Sequence, residues 1–323
     1  MELTPDCKLV QNLFQKRELL QRGDDRHHGI RPHLLILGGG TAGVSGGGVA
    51  IALNRFGLWE CFDAVTGVST GAGIGAYGGC GVEQAIIGNS IYPEECSRLA
   101  FINWRRDPIA DVGFIASLLR RGPKRLDVEA LICSRPQFFV AVSDWESGEG
   151  LLLDAKRATP DPIAAIQAST AMRGAYERPV EVNGRYYADG AIDPLPITKV
   201  VRRFQPTDML VIANRTRQQA AVERPSRFEQ LLWRMDPRFR RVPKNIRQLV
   251  LGRYRRYREG FEELSRLAAN GLNAGIIWSP SEVGTFCRNA VRLRLAAEIS
   301  TGFTLQLLAA AEKKFRSGGS APS

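Results

Sequence analysis

Apolar and polar positions along this chain repeat with two different periods, and the switches between them mark its elements. A short unbroken apolar run, HLLIL (His33 to Leu37), reads as a strand buried on both faces. Glycines follow it, and then Val49, Leu53 and Phe56 recur at the spacing of one helix face, which predicts a helix to about Arg55. FDAVTGV (Phe62 to Val68) is a second strand, ending in GVSTGAG, with Gly-rich helical sequence after it and more helix over about Pro93 to Leu119. Gln137 to Ala155 reads as a hairpin around a turn at Glu146 to Gly150. PIAAIQASTA is helical, and VEVNGRYYADGA gives two short strands about an Asn-Gly turn. DMLVIAN (Asp208 to Asn214) is a further buried strand, Arg217 to Asn270 is helical, IIWSP is a last short strand, and a final helix spans Glu282 to about Phe315. Strands interleaved with helices predict an α/β sheet covered on both faces.

The pattern divides into a polar, helix-capable leader at residues 1–30, an α/β body at 31–315 that includes a basic helical segment at 217–270, and a tail at 316–323 expected to be disordered. No internal repeat is visible. With 323 residues, 44% hydrophobic and 24% charged, the chain can bury a sizeable core. Six cysteines are scattered without a CxxC pair, which argues against a zinc site or a disulfide scaffold and for reduced, buried thiols. No secretory signal is expected in the charged first thirty residues. The longest weakly charged stretch, Ala64 to Ile87, is studded with glycines and interrupted by Glu83, a poor membrane span. A soluble, cytoplasmic protein able to sit peripherally on a membrane is the expectation.

Charge changes this picture in one place. The net charge is +11, and Arg224 to Arg258 holds twelve basic residues against Glu229 and Asp236, nearly the whole surplus. In this segment Phe228, Leu231, Leu232 and Met235 share one helical face, and Ile246, Leu249, Val250, Tyr254, Tyr257, Phe261 and Leu264 share another, with Arg253, Arg255, Arg256 and Arg258 at or beside the rim. A basic amphipathic helix suits an anionic membrane surface. The simpler arrangement packs the apolar face on the sheet and leaves a solvated basic side. No nucleic-acid motif accompanies the charge, so no nucleic-acid partner is expected.

Two glycine motifs carry candidate chemistry. LLILGGGTAGVSGGG places glycines between a strand and a helix, where backbone N–H groups can cradle a dinucleotide phosphate or face a developing oxyanion. GVSTG (Gly67 to Gly71) fits the G-x-S-x-G elbow, which makes Ser69 a candidate nucleophile at a sharp strand-to-helix corner. A base is then required. The three histidines, His27, His28 and His33, all precede Ser69, and His33 begins its strand, roughly 16 Å from the glycine turn at ~3.3 Å per residue. A carboxylate is the alternative, and Asp189 in YYADGA stands at a strand end before Gly190, although a local turn hydrogen bond would explain it equally simply.

Taken together, GGGTAG with Gly48-Val49, then FDAVTGVSTGA, QASTA, RPVEVNGRYYADGA and PLPI occur in the order seen in patatin-like phospholipases, and the chain resembles that family from about His33 to Asn214. The resemblance implies a three-layer α/β/α fold with a mostly parallel central sheet and a lipid acyl hydrolase that cleaves ester bonds of phospholipids or related lipids. Carried over, Ser69 is the nucleophile, Asp189 the base, and the amides of Gly38, Gly39, Gly40 and Thr41 the oxyanion hole, with neither metal nor organic cofactor. The sequence departs from the family at Ala42, where Arg or Lys is common, and at Arg173, where proline is common. Ala42 removes no backbone donor but puts phosphate contacts in doubt.

Two other readings stand beside this one. A catalytically silent lipid-binding protein would keep the same turn. A flavin-binding oxidoreductase is suggested by Gly38, Gly40 and Gly43 in G-x-G-x-x-G, but Glu60 precedes its apolar run, whereas a dinucleotide fold wants the acidic residue at its end.

Overall fold

A computed structural model describes residues 2–24, 29–98, 101–222 and 227–318. His27, His28, Arg224 and residues 319–323 of the expected tail lie outside them, as do the side chains of Phe228 and Leu232. In chain order the elements begin with α1 (Lys8–Gln21), β1 (Pro32–Ile36), α2 (Gly43–Arg55), β2 (Ala64–Val68), α3 (Thr70–Gly79) and α4 (Val82–Ile91). Next come α5 (Val112–Arg120), α6 (Val128–Cys133), β3 (Gln137–Asp144), β4 (Gly150–Asp154), α7 (Pro162–Thr170), β5 (Val180–Val182) and β6 (Arg185–Asp189). The last third holds α8 (Ile197–Phe204), β7 (Asp208–Ala213), α9 (Arg217–Ala220), α10 (Arg227–Met235), α11 (Pro237–Arg240), α12 (Lys244–Leu251), α13 (Arg253–Ala269), β8 (Asn273–Trp278) and α14 (Ala290–Gly318).

The central sheet is mostly parallel and flanked by helices. Strands β3, β2, β1, β7 and β8 run parallel in that spatial order, while β4, β5 and β6 add antiparallel pairings around β3. Alternation along the strands builds two cores. Leu34 and Ile36 of β1, with Leu210 and Ile212 of β7, enter one; Leu35, Leu37, Met209 and Val211 enter the other. A period of two with both phases apolar is what a strand buried on both faces requires.

Register around β3 decides where the C-terminal strand ends meet. β2 pairs with residues 137–141 of β3, up to Val68 opposite Ala141. β4 pairs with 139–143 and β6 with 142–144, with Asp189 opposite Val142. Since β4 overlaps both, it must occupy one edge of β3 while β2 and β6 share the other. β2 is parallel to β3 and β6 antiparallel, so their C-terminal ends point at each other across two consecutive residues, Ala141 and Val142.

The leader is not merely polar. Leu9, Val10, Leu13 and Phe14 of α1 are buried in the first core, and Lys16 crosses to Asp63 at 2.5 Å and to the Ile30 carbonyl at 3.1 Å. Three sequence expectations shift. Among the described residues between Pro93 and Leu119, helix is limited to a short π turn at Tyr92–Cys96 and to α5, which starts only where Asp111 accepts the Phe114 N–H at 2.9 Å. The last helix begins at Ala290 after an Asn289 cap on the Arg292 N–H (2.9 Å), and it continues to Gly318. Residues 316–318, expected in the disordered tail, are therefore helical, with Arg316 paired to Glu312 at 3.0 Å.

The basic segment is helical but broken by Pro237, Pro243 and Gly252. Its second apolar face turns inward: Ile246 and Val250 pack with Trp233, Phe239 and Val242, and Leu264 joins the second core. That face therefore does not meet a membrane. Among its arginines, Arg238 holds Asp236 and the carbonyls of Trp104 and Arg106, and Arg256 holds the Ile192 carbonyl at 2.7 Å. No helix among the described residues is long and apolar enough to cross a membrane.

The docking of α1 gives a direct test. Phe14→Ala should lower unfolding stability by about 3–5 kcal/mol, the range for deleting a buried phenyl ring; a urea titration showing a loss below about 1 kcal/mol would mean that α1 does not share the core.

Candidate active site

Strand β2 ends in a corner that few sequences tolerate. Ser69 has φ 54° and ψ −125°, a positive-φ conformation unusual for a side chain, and α3 starts at the next residue. The flanking glycines make room for it: a Cβ on Gly67 would lie 2.5 Å from the Ala72 Cα, and one on Gly71 2.2 Å from the Ile36 carbonyl oxygen. Ser169 of α7 locks the corner from below. Its hydroxyl donates to the Ala141 carbonyl at 2.6 Å and accepts the Ser69 N–H at 3.0 Å.

Asp189 arrives from the opposing strand end. Ser69 Oγ donates to Asp189 Oδ2 at 2.8 Å, while Oδ1 accepts the Ala191 N–H at 2.7 Å. The backbone of Asp189 is pinned by its N–H to the Ala171 carbonyl (3.0 Å) and by the Ser143 hydroxyl to its own carbonyl (2.9 Å). The carboxyl is 5% exposed. Burial pushes it up to about 7, against the pull of the Ala191 amide, the Ser69 hydroxyl and the positive charge of Arg253.

The glycine turn stands against the corner, where a Cβ on Gly38 would come within 3.0 Å of the Ser69 Cβ. Among the described residues the N–H groups of Gly38, Gly39 and Gly40 meet no acceptor. Thr41 differs from expectation: its N–H is donated to the Thr285 carbonyl at 2.9 Å, so it is not available to a ligand. Gly40, at φ 59°, lies against that same carbonyl, and a side chain there would collide with it at 2.3 Å. Asn214, beyond β7, ties the turn to its helix by accepting the Gly46 N–H at 2.9 Å and donating to the Leu37 carbonyl. Ala42 is buried against Val44, Val283 and Leu293, in space too apolar for a cation.

Two cavities meet at Ser69 and Asp189. The first, partly open to solvent, is walled mainly by apolar side chains such as Ile74, Ile91, Ile115, Leu119 and Ile166. The second runs toward α12 and α13 and includes Gly38, Gly39 and Gly40 in its wall. His33 stands apart from both, buried at the other end of β1, bonded to Thr66 at 3.0 Å and held near pKa 3 by burial, so it is no base for Ser69. Glu60 lies before β2 and accepts the Arg135 N–H at 3.1 Å, away from the glycine turn where a dinucleotide would need it. Among the described residues no group of three His, Cys, Asp or Glu gathers to hold a metal.

Several of these residues carry no signal in the sequence. Nothing local in QASTA marks Ser169 as a brace, and Asn214 and Thr285 are distant in sequence from the turn they hold. Arg173 is buried, its guanidinium 3.6 Å over the Trp145 ring and paired with Glu177 at 2.6 Å.

An α/β sheet that opens an apolar cavity at the C-terminal ends of its parallel strands has that cavity where open α/β folds bind their ligands. The chain belongs to the patatin-like phospholipase family, whose model matches residues 34–201, a little over half the sequence. Membership makes it a lipid acyl hydrolase by family. Among solved structures the chain is similar to VipD from Legionella pneumophila, at 14% identity and a TM-score of 0.43, over 87% of this chain and 67% of that one. No curated protein matches it.

Asp189 supplies a prediction that is independent of substrate. Because its folded pKa lies above the ordinary value of 3.8, ionising it costs the native state, and the cost grows as pH rises from about 4 to about 7. Asp189→Asn, whose amide oxygen keeps the Ala191 N–H bond and whose NH2 donates to Ser69 Oγ in place of accepting from it, should therefore raise stability by about 1–3 kcal/mol at pH 8 and by almost nothing below pH 4. Equal unfolding midpoints for the two proteins at pH 8 would contradict the buried carboxylate.

Proposed function

We propose that the chain hydrolyses the carboxylic ester of an acyl lipid through a Ser69–Asp189 dyad and an acyl-enzyme. The observation that carries this reading is the 2.8 Å hydrogen bond from Ser69 Oγ to Asp189 Oδ2 at the junction of two cavities. Ionised Asp189 accepts the hydroxyl proton as Ser69 Oγ attacks the ester carbonyl carbon. The oxygen of that carbonyl becomes an alkoxide, and the amides of Gly38, Gly39 and Gly40 are the donors for it, each such donor contributing about 3 kcal/mol to the barrier in comparable sites. Collapse breaks the ester C–O bond, and the leaving alcohol takes the proton from Asp189. Water then gives its proton to Asp189, attacks the acyl-enzyme, and releases the carboxylic acid as Ser69 regains its proton.

A carboxylate held near pKa 7 is well matched to this work, since it is a stronger base than an ordinary aspartate and is still ionised in half or more of the molecules at neutral pH. The apolar cavity takes the acyl chain. Wild-type protein should be labelled by a fluorophosphonate probe and Ser69→Ala should not; absence of label in both would favour a silent lipid-binding protein. The rate constant kcat/KM should rise with pH through an apparent pKa of about 7, as the base loses its proton. A profile flat from pH 5 to 9 would exclude Asp189 as the base.

The membrane contact of the basic segment we place on α10, not on α12 or α13. Leu231 is 50% and Met235 67% exposed, one turn apart on the same face. Arg234 of the same helix is also exposed. Trp104, held by Arg238, stacks edge-on at 5.6 Å with Phe286 in the wall of the apolar cavity, so this surface lies beside that cavity. Leu231→Asp with Met235→Asp should weaken binding to anionic vesicles by about tenfold while sparing hydrolysis of a monomeric ester. Equal losses on vesicle and monomer substrates would remove the surface role.

A further inference from the structure

The first cavity is walled mainly by apolar side chains, and most of the polar groups on its wall are spent on protein partners. The Thr41 hydroxyl donates to the Gly284 carbonyl at 3.0 Å, the Tyr77 hydroxyl to the Lys124 carbonyl and the Thr170 hydroxyl to the Gln167 carbonyl at 3.0 Å. The Thr70 and Tyr92 hydroxyls bond each other at 2.5 Å. Asn89 of α4 is different. It is 7% exposed and lines this cavity, yet its Oδ1 is buried without a hydrogen-bond partner, and its Nδ2 meets no acceptor among the described residues. An amide left unpaired in such a place is costly, since it has given up water for nothing. Spacing and packing both set it on the wall. Ala85, Asn89, Tyr92 and Cys96 recur at helical intervals and all line the cavity, so an amide stands in a row whose other members are apolar, aromatic or thiol. Gly47, in the glycine run of α2, lets it in: a Cβ there would lie 2.2 Å from Asn89 Oδ1.

We propose that Asn89 is a polar station in the acyl cavity, and that the substrate is a lipid whose acyl chain carries a hydroxyl part-way along its length. The proposal rests on the hydrolase reading, which puts the ester carbonyl at Ser69 and the acyl chain in this cavity. A hydroxyl both donates and accepts, so it satisfies an amide presented by either its oxygen or its NH2, whereas a methylene satisfies neither. Packing fixes how deep the station lies. A Cβ on Gly43 would meet the Thr70 hydroxyl at 2.5 Å, and Thr70 directly follows Ser69. Asn89 stands against Gly47, four residues or about 6 Å further along α2, away from the glycine turn. A hydroxyl close to the carboxyl end therefore falls short of Asn89, and one near mid-chain reaches it. Selectivity has two sources. A plain chain seals Asn89 from water unpaired, and a hydroxylated chain facing an apolar residue there would bury its own oxygen unpaired.

The test uses monomeric glyceryl monodecanoates, plain or hydroxylated at a single carbon, either the third or one from the sixth to the ninth. Wild type should hydrolyse one of the mid-chain hydroxy esters with kcat/KM about tenfold above the plain ester. Asn89→Leu, nearly the same shape without polar atoms, should bring that ratio to one or below. Asn89→Ala, which cannot press on Gly47, should do the same. No preference in wild type, a preference only for the third carbon, or a preference unchanged in both variants overturns the proposal. A raised urea midpoint for Asn89→Leu with selectivity unchanged would mean that the amide holds only water, and overturns it too. Calorimetric titration of Ser69→Ala with decanoic acid and the same hydroxydecanoic acids reads the station without turnover. If wild type hydrolyses none of the esters, yet Ser69→Ala binds a mid-chain hydroxy acid more tightly than decanoic acid and Asn89→Leu removes the difference, the hydrolase reading fails and the station stands. Equal affinity for all the acids in that case overturns the station as well.

Discussion

One stretch of pairing organises this molecule: two neighbouring residues of β3, Ala141 and Val142, hold the C-terminal ends of β2 and β6 on the same edge. Because one strand runs with β3 and the other against it, their ends converge, and a serine and an aspartate 120 residues apart come within a hydrogen bond. A slip of one residue in either register would turn a side chain to the opposite face of the sheet. Much of the surrounding structure guards that alignment. Ser169 links the Ala141 carbonyl to the Ser69 amide, Ser143 holds the Asp189 carbonyl, and the hairpin turn at Asn183 and Gly184, both at positive φ, sets the register of β5 on β6.

The arrangement stores a cost at its centre. Asp189 is nearly sealed from water, which disfavours its charge, and the compensating contacts are few: one amide, one hydroxyl and the distant field of Arg253. A fully compensated carboxylate would be a feeble base, and an uncompensated one would never ionise. Their balance leaves the group close to neutrality, the condition under which proton transfer in both directions is cheap. The same local fold that strains Ser69 into positive φ thus also tunes the acidity beside it.

Much of this was legible in the residues. Strands whose two phases are both apolar, HLLIL and DMLVIAN, announced burial on both faces, and the Asn-Gly hairpin was evident from its turn chemistry. Ser69 and Asp189 stood out because their neighbours are glycines that the turns need. Long-range partners were not visible, because nothing local in Asn214, Thr285 or Tyr257 says which distant backbone they will face. The apolar periodicity of residues 246–264 marks helix but not the break at Gly252 that splits its one expected face between two clusters, and periodicity cannot distinguish a face that meets lipid from one that meets protein. Trp233, Phe239 and Leu195 decided it. Likewise Thr41 looked like one more free amide until Thr285 was brought against it.

The brace at Thr285 has a wider meaning. It lies more than eighty residues past the end of the family match, yet its carbonyl grips the turn that belongs to the most recognisable motif in the chain. Asn214 does the same from the other side. The family-matched portion of the sequence is therefore not a self-contained machine, since the shape of its glycine turn depends on residues outside it. A substitution near residue 214 or 285 can thus reshape the floor beneath Ser69 while every motif that names the family stays intact.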